Sequence, residues 1–250
     1  MKRLWPGLAI PMSDSLEPAY VLHRRNYSDT SLLVDFLTIR HGYVSCIAKG
    51  VKKSRHNTAS LLQPFIPLLI RYTGKGSLKT LAQCESSDTA LELKGECLYA
   101  AFYINELLLK FLYKYEISQG IFVYYAKALT DLSLQLCIDQ TLRWFELNLI
   151  QHAGIGLGFY EDNDLSSHID PEQSYLFQID ADELLPCDTD FYDKNSLVLS
   201  GDTLLALNQH KPLSDSQKHQ AKHLTRMVIN FYLDGYQFKS RELFRSIQKK

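Results

Sequence analysis

The residues best placed to do chemistry in this chain are cations. The segment Ala48-Lys49-Gly50-Val51-Lys52-Lys53-Ser54-Arg55-His56 holds four fixed positive charges around a glycine. Flexible cations in a loop can follow a phosphate backbone and release its counterions; the bland alternative is a solvated loop. Arg24, Arg25, Arg71, Lys75 and Lys79 extend the patch. Tyr20, Tyr43, Phe65 and Tyr72 interleave with these charges. Such rings either stack on bases or fill a hydrophobic core.

Other constellations carry less. Gly154-Ile155-Gly156-Leu157-Gly158 has the glycine spacing of a dinucleotide loop, but it follows a helical pattern where that motif requires a strand. His219 and His223 stand four apart on a helical stretch, a spacing that can ligate zinc. Lys222 lies beside them and no glutamate intervenes, so two polar histidines on a basic face is the better reading. The acidic run Glu161-Asp162-Asn163-Asp164 lacks the glycine and terminal glutamate of a calcium loop. The five cysteines are widely spaced with no C-x-x-C pair, as expected of free thiols in a reducing compartment. No Gly-x-Ser-x-Gly and no P-loop occurs. The residues therefore predict no catalytic group, no metal and no cofactor: not an enzyme.

The charge pattern supports phosphate as the partner. Net charge is only −1 over 250 residues. Residues 1–80 hold 12 Lys+Arg against 4 Asp+Glu and residues 211–250 hold 9 against 3, whereas residues 151–210 hold 1 against 12. Basic ends around an acidic middle are a footprint of nucleic-acid binding. No stretch reaches the ~20 apolar residues of a membrane span, and Met1–Pro6 is not followed by a signal-peptide core. A cytoplasmic protein with no membrane partner is expected.

The elements that must position these groups follow from periodicity. Residues 1–18, with two Gly/Pro breaks, read as a mobile arm. Ala19–Arg24, Ser31–Thr38, Tyr43–Ala48, Gln63–Tyr72 and Leu78–Cys84 read as five short strands with turn residues between them. Pro64 and Pro67 demote the start of the fourth run. Five strands in ~65 residues fit an OB-fold barrel over 19–85. A mainly α-helical domain over 86–250 follows, giving an α+β class. Helices are expected over Cys97–Glu116 (central and buried), Ile117–Cys137, Gln140–Ala153 (with Gly154 at C′), Asp202–Gln209 and Ser214–Leu233. In the last of these Leu224, Met227, Val228 and Phe231 should share one face. A final basic helix should start near Ser240, capped by its hydroxyl, with Glu242 favourable to the dipole. The acidic segment 160–196 reads as irregular, with Tyr175–Ile179 its one strand-like run.

Several of these stretches together resemble one family, the RecO recombination mediators of bacteria. They are Val21-Leu22-His23 with Ser28–Leu32, Ala48–Lys52, Leu62–Leu69, Leu78–Leu81, Tyr103–Leu108, Leu142–Glu146 and Lys239–Arg245, in the family's order. The resemblance implies an N-terminal OB-fold and a helical middle domain with a C-terminal part packed on it. It implies binding of single- and double-stranded DNA, annealing of complementary strands, docking on the C-terminal tail of single-strand-binding protein (SSB), and work with RecR to load RecA. Many members carry a four-cysteine zinc site after the middle helices. Residues 138–186 here contain no cysteine, so the chain resembles a zinc-free branch.

The DNA-binding residues expected are Arg24, Lys49, Lys52, Lys53, Arg55, Arg71, Lys75 and Lys79. For the acidic SSB tail, the resemblance points to Arg143, which interrupts an apolar helix beside Trp144 and Phe145, with Leu147 one turn on. Its structural alternative is pairing with a nearby acid such as Asp139. The alternative function is an OB-fold adaptor that binds RNA or a protein partner.

Overall fold

The computed structural model of the chain describes residues 16–53, 58–114, 117, 119–160, 164–187 and 195–248. These group into two compact units, Met1–Leu136 with Phe238–Lys250, and Cys137–Gln237. The helices expected to form one body after residue 85 are thus divided between the two.

The first unit is built on a closed barrel of order β1-β2-β3-β5-β4. Its strands are β1 (Glu17–Asn26), β2 (Leu32–Thr38), β3 (Gly42–Ala48), β4 (Leu68–Thr73) and β5 (Leu78–Ser86). All pairings are antiparallel except β3 with β5, which closes the barrel in parallel. Alternate residues fill it: Val34 and Phe36 from β2, Val44 and Cys46 from β3, Leu68 and Ile70 from β4. The strands lie where the apolar runs place them, with two differences. β4 starts at Leu68, because the prolines interrupt the run before it; Pro64 makes only an isolated bridge to Val21. β1 begins inside the segment expected to be an arm, since Glu17 pairs with Ile70 and Pro18 with Leu69. Residues 1–15 of that segment lie outside the described residues.

β2 is buried on both faces. Barrel packing explains one; the other is the outer wall. The helices of this unit are α2 (Gly95–Lys114), α3 (Ile121–Ser133) and α8 (Lys239–Gln248), with a one-turn α1 (Thr58–Leu61) before β4. Of these, α2 and α3 pack on the outer wall at β1. Asn105, buried on α2, donates to the Leu22 carbonyl of β1 (3.1 Å) and accepts from the Tyr125 hydroxyl of α3 (2.6 Å). Tyr20, on the outer wall of β1, packs against Phe122 and Tyr125 of α3, with ring centroids 5.6 and 5.2 Å away.

The neighbouring residue fixes α8. Glu106 accepts from the Lys239 and Ser240 backbone N–H groups (3.0 and 2.9 Å) and from the Ser240 hydroxyl (2.6 Å). A carboxylate from another helix therefore satisfies the positive end of α8. The expected capping by Ser240 itself is corrected: the helix starts at Lys239, and the hydroxyl donates to Glu106.

The second unit contains α4 (Ile138–His152), the one-turn α5 (Leu165–His168), β6 (Ser174–Gln178), β7 (Glu183–Pro186), β8 (Ser196–Ser200), α6 (Gly201–Asn208) and α7 (Asp215–Tyr232). Gly154, at φ +70°, follows the C-cap Ala153 of α4 as expected. Ser214 and Gln217 form a reciprocal capping box at the start of α7. The buried face of α7 is Ala221, Leu224, Thr225, Val228 and Ile229; Met227 is half-buried and Phe231 exposed, which corrects the expected stripe.

The acidic segment, expected to be irregular, contains strands among its described residues. β6 pairs antiparallel with β7 on one side and β8 on the other. Tyr175, Leu176 and Phe177 are buried in succession, so this central strand has no polar alternation to announce it. Acids on the flanking turns dilute the signal further.

Gly201 is where β8 turns directly into α6. A Cβ there would lie 2.0 Å from the Asp170 backbone oxygen. The Gly201 N–H donates to Gln173 (2.8 Å), holding the two backbones together. Gly201→Ala must push the 170–173 turn away from β8 and α6, at a cost of about 1–3 kcal/mol. A matching fall in the urea midpoint is expected, and an unchanged midpoint would show that the turn yields freely.

Candidate nucleic-acid interface

Strand register sorts the expected cations into two groups on the barrel, one at the end of β1 with the loop after β3 and one at the β4–β5 tip. In the first, Arg24 and Arg25 pair with Val34 and Leu33 near the close of β1, and the loop after β3 folds beside the β1–β2 turn. The Lys52 N–H donates to Thr30 (3.1 Å), and its amine to the Ser28 carbonyl (2.8 Å). Val51 plugs into the barrel core, which leaves Lys49, Lys52 and Lys53 exposed around it. The last four residues of β1 are exposed on both faces. Arg24 is partly spent on structure, since it donates to the Ala59 and Leu62 carbonyls (2.9 and 3.1 Å). Arg55 lies outside the described residues.

The second group sits at the β4–β5 tip, where β5 sets out beside the middle of β3. Glu17 pairs with Ile70, and β4 continues past that point into the tip at residues 74–77. Arg71 is exposed and reaches Gln83 across the β4–β5 pair (3.4 Å); Lys75 is exposed on the tip; Lys79 donates back to the Gly74 carbonyl (2.9 Å). The closing pair of the barrel links the groups: Lys79 stands opposite Cys46, Cys46 opposite Val34, and Val34 opposite Arg24.

The four aromatic residues expected to face bases do not do so freely. Tyr20 (3% exposed) and Phe65 (7%) are buried. Tyr43 is half-buried and donates to Asp35 (2.9 Å), while the half-buried Tyr72 hydroxyl meets His41 Nδ1 at 2.9 Å. Desolvation is the first cause that drives both phenols well above their ordinary pKa. The exposed aromatic beside the first cation group is instead Tyr27, in the β1–β2 turn. Lys52 is bonded to the turn that carries it, at Ser28 and Thr30, a pairing of two loops that spacing along the chain does not give.

In the second unit, Arg143 and Leu147 are both buried, 2% and 0% exposed. Arg143 pairs with Glu146 one turn on (2.7 Å), and Glu146 accepts from the Thr225 hydroxyl of α7 (2.5 Å). Asp139, the expected structural partner, instead takes Lys222 (2.9 Å), whose hydrogen bond is the first cause holding that carboxyl below its usual range. Arg143 Nε and Nη1 are buried and meet no hydrogen-bond acceptor among the described residues. Trp144 stacks on His210, with ring centroids 5.2 Å apart.

Of the basic C-terminal helices, α7 spends Lys218 on Asp215 (3.0 Å) and Lys222 on Asp139. On α8, Arg241 lies over the Tyr103 and Phe238 rings, 4.7 Å from each centroid. His219 and His223 lie side by side (4.5 Å between centroids), yet no group of three metal-ligating side chains forms among the described residues. Gly158 does not meet a phosphate-cradling helix; its N–H donates to Asp182 (3.0 Å). Burial pushes the Cys46 thiol up to about 12 and Cys84 to about 11, so neither is a thiolate at neutral pH. No helix among the described residues is long and apolar enough to cross a membrane.

The chain matches two family models, recombination protein O N terminal over residues 12–90 and recombination protein O C terminal over residues 93–242. It is 37% identical over 241 residues to a protein named DNA repair protein RecO from Methylococcus capsulatus, covering 96% of this chain and 97% of that one. Proteins of the same name from Vibrio cholerae and Haemophilus influenzae are each 38% identical. They cover 94% and 93% of this chain and 95% and 97% of their own lengths.

Proposed function

This chain belongs to the RecO family of DNA repair and recombination proteins, and from that premise we propose that it binds single- and double-stranded DNA and anneals complementary strands. Together with RecR it would help load RecA on SSB-coated DNA. The observation that carries this reading is the pair of exposed cation groups on a closed barrel, one at the end of β1 with the loop after β3 and one at the β4–β5 tip. Two groups can neutralise phosphates on two strands at once, which lowers the repulsion that keeps complementary strands apart. No covalent step is required. Cytoplasmic, nucleoid-associated action would fit such a role.

The direct test is a salt-titrated binding assay with single-stranded and duplex DNA, followed by annealing of naked and SSB-coated complementary strands. Steep salt dependence with annealing of both substrates is expected. Salt-independent binding without annealing would instead favour an adaptor for RNA or a protein partner.

Docking of the SSB tail at Arg143 and Leu147 is the finer part of the proposal. The resemblance points there, and the two guanidinium nitrogens that meet no acceptor, Nε and Nη1, are donors that a terminal carboxylate could engage. Because both residues are buried, the tail must displace part of their cover. Arg143→Lys keeps a cation near Glu146 but loses the planar fork. It should weaken tail-peptide binding by about 1–2 kcal/mol and leave naked-DNA binding unchanged. Parallel loss of both, or of neither, would move the tail site elsewhere.

A further inference from the structure

We infer that Tyr27 is a stacking platform for an unpaired nucleobase, so that the first cation group is a subsite for single-stranded DNA. This rests on the DNA-binding reading above and adds to it a residue and a strand preference. Tyr27 is 56% exposed, and no aromatic ring stacks on it among the described residues. An exposed phenol ring wastes apolar area unless something covers it.

The turn that carries Tyr27 is held on both sides. The Tyr27 and Ser28 N–H groups both donate to the Ser31 carbonyl (3.2 and 3.4 Å). The loop after β3 braces it through Lys52, whose N–H reaches Thr30 and whose amine reaches Ser28, the residue next to Tyr27. A braced turn presents the ring at little further entropic cost on binding.

The surroundings favour a phosphate chain over an apolar partner. Arg24, Arg25, Lys49 and Lys53 are all exposed at this end of the barrel, and Asp29 is the single acid among residues 24–30. Cations that track a backbone, with an aromatic face to take a base, are the two components of single-strand binding. In a duplex the base faces are already stacked on one another, so the ring gains nothing there and only the cations act. The other cation group has no equivalent: Tyr72, beside Arg71, is half-buried with its hydroxyl on His41.

Tyr27→Ala should weaken binding of a single-stranded oligonucleotide by roughly 5- to 150-fold, the range for one lost base stack. Affinity for a duplex of the same length should stay within about twofold, and the single-strand salt slope should not change, because no phosphate contact is removed. Tyr27→Trp should restore binding. It should also quench a 2-aminopurine placed in the oligonucleotide. Equal losses on single strands and duplex, a changed salt slope, or unaltered single-strand affinity in Tyr27→Ala would each overturn the stacking role while leaving the DNA-binding reading intact. Failure of the unaltered protein to bind DNA at all would bring down both. Since Tyr27 is exposed, an unchanged urea midpoint in the variant confirms that folding is not the cause.

Discussion

Glu146→Ala is expected to destabilise the second unit by about 3–5 kcal/mol. Glu146 is fully buried and Arg143 nearly so, with 2.7 Å between them. Removing the carboxylate leaves a guanidinium that has lost water and now also loses its counter-charge, while Nε and Nη1 already meet no acceptor. The Thr225 hydroxyl, which donates to Glu146 from α7, is orphaned in the same step. Replacing Arg143 and Glu146 together by Met and Leu should cost far less, because it removes the desolvated charges along with their attraction. The measurement is a double-mutant cycle in urea. If the single and the double variants lose equal stability, the pair is not the source. A large cost for the single and a small one for the double also explains how a tail carboxylate could compete at this place: the buried cation has unmet capacity for an anion.

That pair marks where the sequence stopped being readable. Arg143 was visible as a charge in an apolar helix, and both Asp139 and Glu146 lie one turn from it. Spacing offers two partners. The choice depends on Lys222, 83 residues later, which engages Asp139. The barrel was legible because its strands alternate and its turns carry Gly, Asn and Asp. The three-stranded sheet of β6, β7 and β8 was not, because its central strand is buried on both faces and short.

The aromatic residues failed for a related reason. Tyr20 and Phe65 have the composition of a stacking face, but one outer wall of the barrel is covered by helices, and periodicity cannot say which wall that will be. Tyr27 sits in a turn, where one exposed ring has no pattern to belong to. The two cation groups were visible only as one stretch of positive charge. Register alone separates the end of β1, with Arg24 and Lys49, from the β4–β5 tip, with Arg71 and Lys75, and sets Lys79 on the row of Arg24.

The separation makes the last expectation specific. Lys49→Ala, Lys52→Ala and Lys53→Ala combined should lower duplex affinity on the order of 100-fold near physiological salt, if each contacts one phosphate. The log-log salt slope should flatten by about 0.9 per lost duplex contact and about 0.7 per lost single-strand contact. Lys52 should contribute least, because its amine already holds the Ser28 carbonyl; a slope change nearer two contacts than three is therefore the finer expectation. Arg55 follows in sequence and adds a further contact if it joins the group. The matching variant at the β4–β5 tip, Arg71→Ala with Lys75→Ala, should flatten the slope further, because it removes different phosphate contacts. Annealing separates this arrangement from a single binding path. Losing either group should leave one strand bound yet abolish pairing with a second, since the remaining group then holds no partner strand. Loss of annealing in proportion to affinity, from one group only, would show that a single strand runs over a single group and that the other cations face solvent.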